Sequence, residues 1–226
     1  MKNLRYTLQD YDQLPDRLDW LTPDELTRHE GFRFDKRRQD WLLGRWAAKQ
    51  ALLALHGLPQ CDVGRFEILS ASSGAPLARF DGKPYETGLS ISHSNGRAFS
   101  VVSTETTELG CDIELVEPRS VAFVETFFTA AECKRVQRAA AEYRDMLVTM
   151  IWSAKESTLK VQRTGLRADT RSVEVIEAGD EPGGAWNRAR TITADAREFD
   201  CLWRCDDRWI LSVVAQDLFE HGADVV

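Results

Sequence analysis

Two short stretches of this chain repeat with different periods. Gly110-Cys111-Asp112-Ile113-Glu114-Leu115-Val116 alternates every second residue, which is the pattern of a strand. Downstream, Leu147, Ile151, Ala154, Thr158 and Val161 form one helical stripe, and Trp152, Glu156 and Lys160 form another at i, i+4, i+8. A chain carrying both must combine strand and helix around a common core. On the strand, Asp112 and Glu114 point to one face while Cys111, Ile113 and Leu115 point to the other. Two carboxylates on one patch repel, which raises the pKa of one of them unless a cation lies between, and hard oxygen donors suit Mg²⁺. Glu156 is a candidate third carboxylate, with Lys160 one turn away. Singly, each piece is commonplace: an Asp-x-Glu strand is usually a solvated face, and a Glu-to-Lys pair one turn apart is usually surface decoration. Their combination carries the argument.

Length and composition narrow the class. With 226 residues and 43% hydrophobic content, the chain has material for one large or two small domains with a real core. A net charge of −7 argues against a nucleic-acid partner and leaves any anionic ligand to be caught by a local basic site. No run of about 18 apolar residues predicts a membrane span, and the first residues lack the apolar core of a signal peptide, so a cytoplasmic location is expected. Five cysteines without a Cys-x-x-Cys predict reduced, mostly buried thiols, and the four histidines show no zinc-ligand spacing.

Read in order, Thr22-Pro23-Asp24-Glu25 is a capping box that starts a helix which Gly31 ends or interrupts. A second helix runs from about Phe34 to Leu55 and is closed by Gly57 and Pro59. Trp41, Ala48, Leu52 and Leu55 form its burying face, and Arg38, Leu42, Arg45 and Lys49 form another stripe with three cations, either a solvated face or an anion site. Phe66 to Ser72 predicts a strand, followed by turns at 72–76 and 81–84. Leu89 to Gly96 reads as a strand ending in a polar loop, in which Ser92, His93, Ser94 and the amides near Gly96 can donate to phosphate. Ala98–Ser103 and Leu109–Val116 are expected to pair as a hairpin across the polar connection 104–108, which would bring His93 near the carboxylates. Thr129 to Glu132 is another capping box, opening a helix to about Ala141. A longer helix, about Tyr143 to Gln162, has Arg163 in its last turn and stops at Gly165. Strands are expected near 172–176, 191–194, 198–205 and 209–215, with a turn at Asp206-Asp207, a loop at 177–185 and a loose tail from Glu220. The result is an α+β fold repeated about twice.

With these segments in place, the chain resembles the 4′-phosphopantetheinyl transferases, in particular the single-chain Sfp-type branch with two similar halves. The resemblance is carried by Gly44-Arg45 with Lys49, Ser92-His93-Ser94, Gly110 to Glu114, Phe128 with Glu132, and Trp152 to Lys160, over residues 30 to 165. It implies a pseudo-twofold pair of α+β subdomains, 1–108 and 109–226, with the active site between them. It also implies transfer of phosphopantetheine from coenzyme A to a serine of an apo acyl or peptidyl carrier protein, as a holo-[acyl-carrier-protein] synthase does, releasing 3′,5′-ADP. Mg²⁺ is the implied metal, with Mn²⁺ as an alternative, held by Asp112, Glu114 and Glu156. Arg45, Lys49, Arg38, Ser92, His93, Lys155 and Lys160 would contact coenzyme A, and Glu156, Lys160 and Asp112 would be catalytic. A monomer is expected, with no membrane or nucleic-acid partner. One departure stands out: where the family has Gly-Lys/Arg-Pro, this chain has Gly74-Ala75-Pro76, which leaves open whether Lys83 of Gly82-Lys83-Pro84 replaces the missing cation.

The residues support the same chemistry without the resemblance. A pyrophosphate must be neutralised before a hydroxyl attacks it; a metal on Asp112 and Glu114 plus Lys160 would do so, and Glu156 or a water it holds can take the proton. Two rival readings use the same residues, a non-catalytic coenzyme A-binding module and an Mg²⁺-dependent pyrophosphate phosphodiesterase.

Overall fold

The computed structural model describes residues 4–104, 108–164, 167–178, 186–216 and 218. The elements in chain order are β1 (Leu4–Asp10), α1 (Pro23–Glu30), α2 (Asp35–His56), β2 (Phe66–Ser70), β3 (Pro76–Phe80), β4 (Lys83–Tyr85), β5 (Gly88–Ser94), β6 (Arg97–Ser103), β7 (Leu109–Leu115), α3 (Val121–Phe127), α4 (Ala130–Arg138), α5 (Ala141–Val161), β8 (Val173–Ala178), β9 (Asn187–Thr193), β10 (Glu198–Asp206) and β11 (Trp209–Ala215). This is the mixed α+β architecture expected. The chain divides into two compact units that meet in sequence between Leu109 and Gly110.

In the first unit, α2 lies across β1, β5 and β6, which form one sheet in the order β1-β6-β5, and β2-β3-β4 forms another. Trp20, Leu52, Phe66, Ile68 and Val102 are central to its core. In the second unit, α5 lies across a five-stranded sheet ordered β7-β11-β10-β9-β8, with Phe128, Ile151, Phe199 and Trp203 in the core. The middle of each long helix is buried on nearly every side, residues 42–49 of α2 without a break and 148–151, 153–155 and 157–159 of α5, because small and apolar residues predominate there. Gly57 closes α2 in the left-handed conformation, at φ 61°.

Several expectations need correction. The opening segment is a strand, β1, and Val121–Phe127 is a helix that the sequence reading passed over. The hairpin between Ala98–Ser103 and the Asp112 strand does not form: β6 pairs with β1 and β5, while β7 neighbours β11. Instead β5 and β6 are joined by Asn95-Gly96, both at positive φ (45° and 83°), the two-residue turn whose twist matches antiparallel strands. Ser92, His93 and Ser94 therefore sit on a paired strand and not in a loop. The last hairpin turns on Asp207-Arg208, one residue later than expected, with Asp207 at φ 55°. Arg163 takes the left-handed position just beyond α5, at φ 57°, where the reading had placed it inside the last turn. β8 continues to Ala178 and β9 begins at Asn187, whereas the loop had been expected to open at Glu177 and the strand at Thr191. Gly165, most of the 104–108 connection, residues 179–185 and the tail from Glu220 lie outside the described residues.

The two units repeat one buried arrangement. Thr22 and Glu25 form a reciprocal capping box at the start of α1, and Thr129 and Glu132 do so at α4. Glu25 Oε2 pairs with Lys49 of α2 at 2.6 Å, and Glu132 Oε2 pairs with Lys155 of α5 at 2.8 Å. The other carboxylate oxygen accepts from a strand amide at 2.9 Å, Ile68 in the first unit and Val175 in the second, each 43 residues beyond its glutamate. Lys49 also donates to the Trp20 carbonyl and Lys155 to those of Thr170 and Val173. Sequence spacing, bond pattern and burial all recur.

Candidate functional site

In the second unit, Gly110 sets the distance between β7 and α5. A Cβ built on it would lie 1.9 Å from the Ser157 carbonyl oxygen, so no larger residue fits without moving the strand or the helix. This close approach lets Lys160 Nζ donate to the Cys111 carbonyl at 2.8 Å and to Asp112 Oδ1 at 2.9 Å. Asp112 is 1% exposed, so its charge depends on such contacts. Glu114, two residues along the strand, meets Arg119 at 3.5 Å and accepts a hydrogen bond from Trp152. The Trp152 ring packs edge-on to Phe123 and Phe127, at 5.0 and 5.3 Å between centroids, so the indole that bonds Glu114 is itself held.

The electrostatics follow from this crowding. Burial, then the Asp112 carboxylate, push Glu114 up to about 7, with Arg119 and Trp152 opposing. Burial and Asp112 push Glu156 up to about 8, with Lys160 opposing and Glu114 adding to the rise. Burial works against the Lys160 ammonium, but Asp112, the Cys111 carbonyl and Glu156 outweigh it and raise its pKa. The predicted grouping of Asp112, Glu114, Glu156 and Lys160 is thus an electrostatic unit in this structure. Among the described residues, however, no three acidic, imidazole or thiol groups converge as a ready metal centre. Lys160 stands on Asp112 instead. The donor chemistry still fits a hard divalent cation: Asp112 raises both Glu114 and Glu156, Glu114 adds to the rise of Glu156, and a cation shared among the three carboxyl groups relieves that cost.

The first unit holds a cleft of about 580 Å³, lined by Arg28, Arg33, Arg37 and Arg45 together with Phe32, Phe34, Trp41, Asp40 and His93. Gly44 keeps α2 close to β5, since a Cβ there would lie 3.1 Å from Ile91. Alternation along β5 turns Ile91 and His93 into the cleft and Ser92 into the buried face behind it. Arg45 is 8% exposed; its Nε donates to the Ile68 carbonyl and its Nη2 to Ser70 Oγ, and its guanidinium lies 4.8 Å over Trp41. Desolvation lowers it to about 10, still charged at neutral pH.

Of the cations expected on coenzyme A phosphates, the structure therefore brings Arg45 and His93 to the cleft and not the others. Arg38 pairs with Asp35 and lies outside the lining residues, and Ser92 faces away from it. Lys49 and Lys155 are both 0% exposed and committed to Glu25 and Glu132, so as ligand contacts they are corrected to buried ion pairs. Helical spacing placed Lys49 in line with Arg45, but a burying glutamate from another helix decided where its ammonium goes. Neither Ala75 nor Lys83 lines the cleft. Arg28, Arg33 and Arg37 were missed, although the dense basic run around Gly31 between two helices was a signal for them.

An arginine-rich aromatic cleft in one α+β unit and a carboxylate–lysine cluster in the other define a class of protein equipped for phosphorylated ligands. Comparison with known proteins narrows it. The profile of the 4′-phosphopantetheinyl transferase superfamily matches residues 108–214, within which all of Asp112, Glu114, Glu156 and Lys160 fall. The chain is 27% identical over 198 residues to the 4′-phosphopantetheinyl transferase HetI of Nostoc sp., covering 83% of this chain and 80% of that one. It is 39% identical over 90 residues to a holo-[acyl-carrier-protein] synthase of Streptococcus agalactiae, 38% of this chain and 73% of the relative. It is 29% identical over 155 residues to the 4′-phosphopantetheinyl transferase AcpT of Salmonella typhimurium, 68% of each chain. The chain belongs to the 4′-phosphopantetheinyl transferase superfamily and is an enzyme of that transferase class.

Proposed function

We propose that this protein moves the 4′-phosphopantetheine group of coenzyme A onto the serine hydroxyl of an apo acyl or peptidyl carrier protein, with Mg²⁺, releasing 3′,5′-ADP. The observation that carries the reading is the Asp112–Glu114–Glu156 group with Lys160 standing on Asp112, in the stretch where the superfamily profile matches. In this reading Asp112, Glu114 and Glu156 hold the Mg²⁺, which supplies charge neutralisation at the pyrophosphate. Lys160 offers a second cation to the same oxygens. A carboxylate beside Mg²⁺ is a weak base on its own, so the serine proton passes to a water held between Glu156 and the serine. The serine oxygen bonds to the phosphorus attached to the pantetheine arm, and the bond from that phosphorus to the bridging oxygen breaks. The electron pair leaves with 3′,5′-ADP. Arg45, His93, Arg28, Arg33 and Arg37 bind the phosphates of the nucleotide end in the cleft of the first unit.

The recurring Thr-x-x-Glu, lysine and strand-amide arrangement supports the Sfp-type reading, in which two similar halves, 1–108 and 109–226, both serve one reaction. A monomer acting in the cytoplasm completes the proposal; among the described residues no helix is long and apolar enough to cross a membrane. The test is intact-mass analysis of a panel of apo carrier proteins incubated with the protein, coenzyme A and Mg²⁺. A phosphopantetheine-sized gain on a carrier serine supports transfer. Coenzyme A cleaved without any carrier protein, and no gain on the panel, supports the phosphodiesterase instead.

A further inference from the structure

Asp40 is the one carboxylate among the residues that line the cleft of the first unit. It is half-buried on α2, next to Trp41, and its Oδ1 accepts a 2.6 Å hydrogen bond from the Tyr11 hydroxyl. Tyr11 is backed by the β5–β6 turn, where a Cβ on Gly96 would come within 3.1 Å of the ring. Burial, then the Asp40 carboxylate, push the Tyr11 hydroxyl up to about 12, so it keeps its proton and remains a donor. The carboxylate is thus tethered through one oxygen, and the other keeps its capacity to accept.

A fixed anion in a cleft walled by arginines works against a ligand's phosphates, so it must face the part of the ligand that carries hydrogen-bond donors and no negative charge. In a nucleotide those donors are the ribose hydroxyls and the exocyclic amine of the base. The hydroxyls adjoin the phosphates; the amine is the donor farthest from them. The Phe32 and Trp41 rings, 5.7 Å apart and tilted, give a base an apolar wall immediately beside Asp40. We infer that Asp40, tethered by Tyr11, is a specificity-determining residue that accepts a hydrogen bond from the 6-amino group of the purine and so selects a 6-aminopurine nucleotide. The inference rests on the coenzyme A reading of this cleft.

Calorimetric titration of the whole chain with adenosine 3′,5′-diphosphate, purine riboside 3′,5′-diphosphate and 2′-deoxyadenosine 3′,5′-diphosphate tests it without any carrier protein. The native protein should bind the adenosine ligand roughly 10- to 100-fold more tightly than the purine riboside ligand, which lacks the amine. Removing the 2′-hydroxyl should matter little. Asp40→Ala should abolish the preference, so that the adenosine and purine riboside ligands bind alike, both gaining from the loss of a negative charge in the cleft; Tyr11→Phe should reduce the preference in part. Equal affinity of the native protein for the two bases overturns the inference and leaves the coenzyme A reading standing. A loss confined to the 2′-deoxy ligand also overturns it, moving Asp40 to the ribose. No binding of any of the three removes both. The native-protein comparison decides the matter even if Asp40→Ala does not fold.

Discussion

Glu156 faces two other carboxylates in the second unit, Asp112 and Glu114. It is half-buried, and burial together with Asp112 and Glu114 raises its carboxyl to about 8, a cost that a shared cation would relieve. Glu156→Gln preserves shape and removes both charge and basicity. The expected result is a loss of roughly 10²–10⁴-fold in single-turnover rate with coenzyme A affinity nearly unchanged. Full recovery of the rate at high Mg²⁺ would reduce Glu156 to a ligand. In the cleft, Arg37 is exposed and has no packing duty like that of Arg45, which holds the Ile68 carbonyl and Ser70. Arg37→Ala should therefore weaken adenosine 3′,5′-diphosphate by about tenfold, the worth of one charged hydrogen bond, without moving the melting temperature. Calorimetry and a thermal melt of the same sample check both halves of that statement.

Between neighbouring elements, backbone approach sets the geometry. Gly110→Ala sets a methyl group against the Ser157 carbonyl and must push β7 away from α5, taking Asp112 off Lys160. A destabilisation of about 3 kcal/mol is expected, with transfer activity lost even well below the melting temperature. An unchanged melting curve would show that the two elements separate easily. The buried pairs make a different prediction. Lys155→Met leaves Glu132 inside the protein with its cation gone, and breaking such a pair by one partner costs about 3–5 kcal/mol. Combining it with Glu132→Gln removes the uncompensated charge, and the amide oxygen still accepts from one of the Val175 and Thr129 amides, so part of that stability should return. If Lys155 is structural, the double variant that folds will bind coenzyme A normally; a lasting loss of affinity in the folded variant would restore Lys155 to the site.

On the proposed reading, nucleotide binding belongs to the first unit's cleft and phosphoryl chemistry to the second unit's carboxylates, so the two are separable in solution. If adenosine 3′,5′-diphosphate is held by the arginine cleft, it should stabilise the protein in the presence of a chelator. At about 100 times its dissociation constant the gain should be about 2.7 kcal/mol, read as a thermal shift. Strict dependence of that shift on Mg²⁺ would move the nucleotide site to the carboxylates. What the sequence determined by itself was whatever lies within one regular element or one turn. Asp112 and Glu114 share a strand face, Glu156 and Lys160 stand one turn apart, and Thr22 with Glu25 and Thr129 with Glu132 close their capping boxes, because a fixed repeat ties spacing to direction. The Asn95-Gly96 turn was legible on the same ground and was passed over. Tertiary structure alone decided that Glu25 and Glu132 would reach across to claim Lys49 and Lys155, that β7 would join β11 and not β6, and that Trp152 would bond Glu114. Those choices depend on which surfaces pack and which buried charges find partners, and desolvation makes an unpaired lysine in a core too costly to leave where helical spacing alone would put it.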